Sequence, residues 1–273
     1  MQFEKIYNPI SKELQLVESE LKNIGRNLST NSLKDILGHF FRIPGKRLRP
    51  TLALLSAGVV NNKLSETMNQ QLIQLAVGLE LMHSASLIHD DIIDGDLFRR
   101  GQKTLNKVYG KKIAVLAGDV VYAIAFSTIS SSLPKEVEQI IVKLTEYMCA
   151  AEVDQAKEGL PDREMYLEII KGKTALFMSI CCKLGATLAG ATKEEITSLA
   201  EYGLNIGMAY QIIDDCIDRD PNAITNVTRD DAQLFANKAI TSIGNFEDSS
   251  YKESLINLVN FVLNFSEEKV SNA

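Results

Sequence analysis

Two acidic runs carry the first chemical signal in the chain. Asp90-Asp91-Ile92-Ile93-Asp94 and Asp214-Asp215-Cys216-Ile217-Asp218 share one pattern, and each follows an apolar turn, Ser86-Leu87-Ile88 and Gln211-Ile212-Ile213. On a helix, Asp90 and Asp94 stand four residues apart, on one face and about 6 Å apart along the axis. Carboxylates at that spacing repel each other, and a divalent cation removes the repulsion. Hard oxygen ligands with room for water suit Mg2+, which binds through one or two carboxylates plus substrate phosphates. One such run alone reads more readily as a solvated helix end. Two, each at the tip of an apolar helix, point to a function, because carboxylates beside a buried surface need a counter-ion. Facing each other across a cavity, they would clamp a diphosphate through metal ions.

Three basic clusters complement the acids. Gly45-Lys46-Arg47-Leu48-Arg49-Pro50 places three cations in a loop between helices, Arg99-Arg100-Gly101 follows the first acidic run, and Lys171-Gly172-Lys173-Thr174 is expected to open a helix. Arg and Lys pair with phosphate, and helix-start N–H groups add to the attraction. Any one cluster alone reads as exposed charge. Gly172-Lys173-Thr174 is not the tail of a P-loop, since Leu167 stands where the first glycine belongs and no strand precedes it. His83, two helical turns before the acids, is a site candidate. His89 lacks a metal-ligand partner at four-residue spacing and reads as structural.

The elements that must position these groups are helical. Six prolines separate long stretches of helical periodicity. Leu14, Val17, Leu21 and Ile24 form one stripe, and Leu72, Leu75, Leu79 and Met82 another. Residues 113–129 are apolar almost all round, as a central buried helix would be, and 196–217 are similar. Alternating strand patterns with hairpin turns are missing, so the expected fold is all-α, a large helical bundle with a central cavity or a helix–helix dimer interface. With 273 residues, 45% hydrophobic and 23% charged, the chain has enough apolar sequence for a sizeable core in one or two domains. Its 29 basic against 35 acidic residues, a net charge of −6, argue against a nucleic-acid partner. The four cysteines show no metal spacing and read as reduced thiols in a cytoplasmic protein. The first residues lack the apolar core of a signal peptide, and no apolar run reaches the roughly 18 residues of a membrane span, so no stable membrane insertion is expected.

The full set resembles the trans-isoprenyl (polyprenyl) diphosphate synthase family. The resemblance is carried by GKRLRP at 45–50, HSASLIHDDIID at 83–94, RRG at 99–101, LAGD at 116–119, AEVDQ at 151–155, GKTA at 172–175 and QIIDDCID at 211–218, in the family's order. It implies a single isoprenoid synthase-like domain over 1–273, an all-α bundle around a deep central hydrophobic cavity, usually a homodimer. It also implies a Mg2+-assisted condensation of isopentenyl diphosphate with an allylic prenyl diphosphate. By position, Lys46, Arg49, His83 and Arg100 would hold isopentenyl diphosphate. Asp90, Asp91 and Asp94 would bind Mg2+ on the allylic diphosphate, and Asp214, Asp215 and Asp218 a further Mg2+. Arg99, Lys173, Thr174 and Gln211 would contact the allylic substrate. The catalytic set would be Asp90, Asp91, Asp94, Lys173 and Asp214.

Chain length follows from the floor of the tail cavity. Ala85 and Ser86 lie five and four residues before Asp90, about 6–8 Å along the helix, where the family places a bulky aromatic in short-chain members. Both are small here, and Met82, one turn deeper, is flexible. The expected product exceeds twenty carbons, with Tyr122 or Phe126 as a deeper floor; a short-chain farnesyl or geranylgeranyl synthase is the alternative. The chain departs from the family after Asp218. A Gly-Lys-rich segment is replaced by Arg219-Asp220-Pro221-Asn222-Ala223, and the next lysine is Lys238. Arg219 or Arg229 would have to substitute, or a partner subunit would supply the missing part in a hetero-oligomer. A terpene cyclase shares the fold and the first acidic motif but has no use for Lys46, Arg49 and Arg100.

Overall fold

Proline and glycine mark the places where helices start and stop. In the computed structural model, which describes residues 2–156, 161–218 and 227–264, Pro50 lies in the first turn of a helix, Leu48–Val60, where its missing N–H removes no helical bond. Pro9 falls in a single 3₁₀ turn, Asn8–Ile10. The described residues form two compact units. One draws on Lys12–Thr51 and Gln70–Glu138, the other on Met1–Ser11, Leu52–Asn69 and Gln139–Ala273.

The first unit holds α2 (Ser11–Arg26), α3 (Asn31–Phe40), most of α5 (Glu66–Ile93), a small hairpin, α6 (Leu105–Tyr109) and α7 (Lys111–Ser132). Helix α2 buries Val17 and Leu21 from its expected stripe. Helix α5 is buried on every side: Leu72, Ile73, Leu75, Ala76, Val77, Gly78 and Leu79 are all covered, and so are Glu80 and Asp91. Helix α7 corrects the expectation of a fully buried helix over 113–129. Only the stripe Ala114, Ala117, Gly118, Val121, Ala125 and Ile129 is covered, while Val115 and Leu116 are exposed. Alanine and glycine make up most of the packed face, beside Val121 and Ile129, while Val115 and Leu116 point away, a division that overall hydrophobicity conceals. By length and composition alone, α5 and α7 could each cross a membrane, but burial marks α5 as a core helix.

The all-α expectation holds, with a small hairpin among the helices. β1 (Phe98–Arg99) pairs antiparallel with β2 (Gln102–Lys103), in the register Phe98 with Lys103 and Arg99 with Gln102. Arg100 and Gly101 form the turn with φ of 52° and 74°, the positive values that two-residue hairpin turns require. Strands of two residues are too short to show alternation.

The second unit contains α1 (Gln2–Tyr7), most of α4 (Leu48–Val60) and α8 (Lys135–Gln155), then α9 (Arg163–Ile170), α10 (Leu176–Leu188), α11 (Lys193–Asp218), α12 (Arg229–Ser242) and α13 (Ser250–Leu263). Between α9 and α10, Lys171–Ala175 form a π turn in which the Leu176 N–H reaches back to the Lys171 carbonyl. The expectation that this segment opens a helix is therefore wrong: it is a bulge inside a continuing one, so it offers no free row of N–H groups to an anion. Helix α11 lies against it at Gly207, where an added Cβ would stand 2.6 Å from Ala175 Cα. Gly207 is one turn before Gln211, so this close approach sets the height of Gln211 beside the turn.

Backbone cannot retreat as a flexible side chain can. Gly207→Ala should cost about 1–3 kcal/mol of stability, read from urea denaturation. An unchanged midpoint would show that the contact is loose.

Candidate active site

The first acidic run closes α5. Asp90 and Asp94 share a face, and the Asp94 N–H donates to the Asp90 carbonyl at 2.8 Å. Asp90 is half-buried and Asp94 exposed. Asp91, rotated about 100° by the helix, turns inward. It is 3% exposed and accepts from Arg99 Nε at 2.5 Å. Burial raises the Asp91 pKa and the Arg99 charge lowers it, with burial the larger effect. Asn106 Nδ2 donates to the carbonyls of Asp91 and Asp96, at 2.9 and 3.0 Å, fixing the loop that leads to the hairpin.

A pocket of about 590 Å³, counted out to its open mouth, lies in the same unit and includes Gly45, Arg47, Glu80, His83, Arg99 and Arg100 in its wall. Of the predicted diphosphate ligands, His83 and Arg100 line it directly. Lys46 falls between two lining residues, Gly45 and Arg47, and Arg49 is in the first turn of α4. Burial, and then the charges of Arg49, Arg100, Arg99 and Arg47, hold the His83 imidazole well below the ordinary histidine range. His83 is therefore neutral at physiological pH and offers a hydrogen bond rather than a charge. Arg47 donates to Glu18 through Nε and Nη2 and to Glu80 Oε1 through Nη1 at 2.6 Å.

Along α5, Ala85 and Met82 are fully buried, and Ser86 Oγ donates to the His83 carbonyl at 2.9 Å. His89, four residues after Ala85 on the same face, meets the Tyr122 ring at a centroid distance of 5.7 Å, and Tyr122 stacks on Phe126 at 6.3 Å. The His89 Nε2 also lies 3.2 Å from the Val115 carbonyl and 3.5 Å from Asp119. These contacts make His89 a joint between α5 and α7.

The second acidic run closes α11 in the other unit. Asp214 is half-buried and Asp218 exposed. Asp215 accepts at both oxygens, from Gln211 Nε2 at 2.8 Å and from the Tyr166 hydroxyl at 2.7 Å. Thr174 Oγ1 donates to Gln211 Oε1 at 2.8 Å. Thr174, Gln211, Asp215 and Tyr166 thus form one chain of hydrogen bonds that fixes the Gln211 amide. Asp162 caps α9 and so holds the start of the helix that carries Tyr166. Lys173 pairs with Glu152 at 2.8 Å and donates to Gln155 at 3.2 Å. Arg219 lies outside the described residues, and Arg229 begins α12.

Among the described residues no three acidic, imidazole or thiol side chains converge on one metal-sized point. Each run instead sets its first and fifth carboxylates four residues apart, Asp90 with Asp94 and Asp214 with Asp218. That donor set fits a hydrated hard cation, which takes one or two carboxylates and completes its shell with water and phosphate. The Cys182 thiol fits no such role; burial pushes it up to about 12.

A family model described as polyprenyl synthetase matches residues 30–236. The chain belongs to the polyprenyl synthetase family. It is 32% identical over 221 residues to a short chain isoprenyl diphosphate synthase of Methanothermobacter thermautotrophicus, covering 78% of this chain and 66% of that protein. It is equally identical over 221 residues to heptaprenyl diphosphate synthase component 2 of Geobacillus stearothermophilus, covering 80% and 67%. The matches span about two thirds of those relatives' own length. A polyprenyl synthase from Caulobacter crescentus, crystallised with calcium and isoprenyl diphosphate, superposes with a TM-score of 0.85 at 22% identity over 96% of this chain and 97% of that one. The all-α isoprenoid synthase fold is therefore shared with members of the polyprenyl synthetase family.

Three residues of this polyprenyl synthetase escape a reading of motifs: Glu18, Glu80 and Tyr166. Glu80 had one visible signal, an acid between Leu79 and Leu81 in an otherwise apolar helix. Glu18 and Tyr166 had none, since their partners are 29 and 49 residues away.

The pKa of His83 is lowered on folding from 6.5. Below that pH the unfolded chain binds a proton that the folded chain refuses, so the stability tied to neutral His83 is present above pH 6.5 and lost as pH falls below it. Urea midpoints measured at pH 7.5 and 5.5 should fall more for the native protein than for His83→Gln. Equal falls would show that the imidazole is not held neutral.

Proposed function

We propose that the protein is a trans-prenyltransferase that joins isopentenyl diphosphate to an allylic prenyl diphosphate. The observation that carries this reading is the pairing of two different anion-handling devices on one helix. The wall of the arginine-rich pocket includes His83 of α5, and the carboxylates of Asp90 and Asp94 close the same helix seven and eleven residues later. A cationic pocket takes a diphosphate directly, whereas a carboxylate pair takes one only through a divalent cation. Two diphosphates handled in two ways match one substrate that keeps its diphosphate and one that loses it.

Lys46, Arg49 and Arg100 would hold the diphosphate that is retained, with neutral His83 as a hydrogen-bonding partner. Asp90 and Asp94, and Asp214 and Asp218 with Asp215 behind them, would hold Mg2+. When bound, Mg2+ supplies neutralisation of the negative charge that develops as the allylic C–O bond breaks. Arg99 and Lys173 would add positive charge beside the departing diphosphate. Thr174 and Gln211, locked to each other, would present fixed oxygens to the allylic carbon. The chain's apolar side chains would keep water from the cation. The alkene of isopentenyl diphosphate then forms the new C–C bond, and the proton lost goes to the released diphosphate.

The product of this reading is longer than twenty carbons. Ala85 adds no bulk on the face of α5 that His89 shares with Tyr122, and Met82 lies deeper. Tyr122 and Phe126, stacked on α7, would form the floor. The named relatives include a short chain synthase and a heptaprenyl synthase component, so their names favour neither length. A homodimer belongs to the same reading, with exposed Val115 and Leu116 of α7 as surface for a second copy. A second reading, a weakly active subunit of a hetero-oligomer, rests on the lysine-free stretch from Arg219 to Asn237 and on the word "component" in one relative's name.

Purified protein incubated with Mg2+, isopentenyl diphosphate and allylic primers of five to twenty carbons should give products beyond twenty carbons by mass spectrometry. A stop at fifteen or twenty would keep the transferase and remove the floor. No elongation by folded protein would move the weight to the subunit reading. Asp90→Asn should slow turnover roughly 100-fold or more, about 3 kcal/mol of lost charge stabilisation. Ala85→Phe should shorten the products without abolishing them; an unchanged distribution would remove the tail path along α5.

A further inference from the structure

Gly45-Lys46-Arg47-Leu48-Arg49 contains three cations that composition treats alike, but Arg47 is engaged in a different way. Its guanidinium is bidentate on Glu18 of α2 and reaches Glu80 of α5 at 2.6 Å. Glu80 is 3% exposed, and its Oε2 has no hydrogen-bond partner among the described residues. Arg47 is thus the cation that makes this carboxylate tolerable inside the protein. Glu80 and His83 are three residues apart on one face of α5, so whatever is tied to Glu80 is tied close to the pocket wall.

The backbone gives independent support. Arg47 has φ of 52°, in the left-handed region that residues with a Cβ seldom occupy and that persists only where surrounding contacts enforce it. Its carbonyl accepts from the Thr51 N–H at 3.0 Å. Arg47 is therefore the residue at which the loop turns into α4, with Lys46 just before the turn and Arg49 just after it. The other flank of the loop is held too. An added Cβ at Gly45 would come within 2.9 Å of both terminal nitrogens of Arg100, so the Arg100 guanidinium lies directly on Gly45.

We propose that Arg47 is a positioning residue for the isopentenyl diphosphate site: its ties to Glu18 and Glu80 hold the Gly45–Arg49 segment against α5, so that Lys46 and Arg49 meet one diphosphate together with His83 and Arg100. This rests on the prenyltransferase reading above. In this role Arg47 is a support rather than a phosphate ligand, and its charge is spent on two carboxylates.

The two roles predict opposite effects of Glu80. If Arg47 is a support, Arg47→Met and Glu80→Gln both weaken isopentenyl diphosphate binding, and the double variant is no worse than Arg47→Met. If Arg47 is a direct ligand, Glu80→Gln releases it toward the diphosphate, and binding is unchanged or tighter. Calorimetric binding of isopentenyl diphosphate and steady-state KM for each substrate provide the test. The expected result is about a tenfold loss for isopentenyl diphosphate in Arg47→Met. The allylic KM should move less than about twofold, and Arg47→Lys should recover part of the loss. Should Arg47→Met fail to fold because Glu80 is left buried and alone, Arg47→Met with Glu80→Met removes both charges and must show the same selective loss. Unchanged binding in the folded variants overturns the support while wild-type turnover keeps the transferase reading. A wild-type protein that neither binds nor consumes isopentenyl diphosphate overturns both.

Discussion

Gathering like charges inside a protein costs Coulomb energy, which only counter-charges or hydrogen-bond donors placed behind them can offset. Both charged clusters described above answer to that constraint. In the first unit Arg47, Arg49, Arg99 and Arg100 all bear on one imidazole; carboxylates stand behind Arg47, as Glu18 and Glu80, and behind Arg99, as Asp91. In the second unit Asp215 is steadied by Tyr166 and Gln211 at its two oxygens. The second member of each acidic run, Asp91 or Asp215, is thus held by donors from its own unit. The lowered pKa of His83 has burial as its larger cause, and the arginine charges add to it, because a fifth positive charge among them would raise the cost again.

The division of labour is local and follows from helix geometry. A run with acids at its first, second and fifth positions on a helix sends the first and fifth to one face and the second elsewhere. Asp91 and Asp215 are the second positions, and each meets a donor from a different part of the chain. Asp91 meets Arg99 from a two-residue hairpin, and Asp215 meets Tyr166 from a helix capped by Asp162. A π turn then brings Thr174 to Gln211 where α11 can approach closely at Gly207. Function in this account depends as much on these inward contacts as on the residues that face the substrate.

Much of this was legible in the sequence, for identifiable reasons. The acidic runs could be found because their chemistry depends on local spacing, helix α2 because its apolar stripe has helical period, and α5 and α11 because long apolar segments without proline exceed the length of a strand. The family followed from motifs that keep their order. What stayed hidden was of two kinds. Features without a local pattern left no trace: the π turn at Lys171–Ala175, strands only two residues long, and the pairing of Arg47 with Glu18 and Glu80 and of Asp215 with Tyr166, across tens of residues. Helix α7 was misjudged because a segment apolar all round does not say which face is packed; its small residues, Ala114, Ala117, Gly118, Val121 and Ala125, carried that information.

The central claim is that the chain handles two diphosphates by different means, one with cations and one through carboxylates and a metal. Calorimetric titration of isopentenyl diphosphate and of a non-ionisable allylic diphosphate analogue, each with Mg2+ and with chelator, tests it most directly. The account predicts that isopentenyl diphosphate binding survives chelation, whereas binding of the allylic analogue weakens by roughly 100-fold or more. Equal dependence of both ligands on Mg2+, or independence of both, would contradict it.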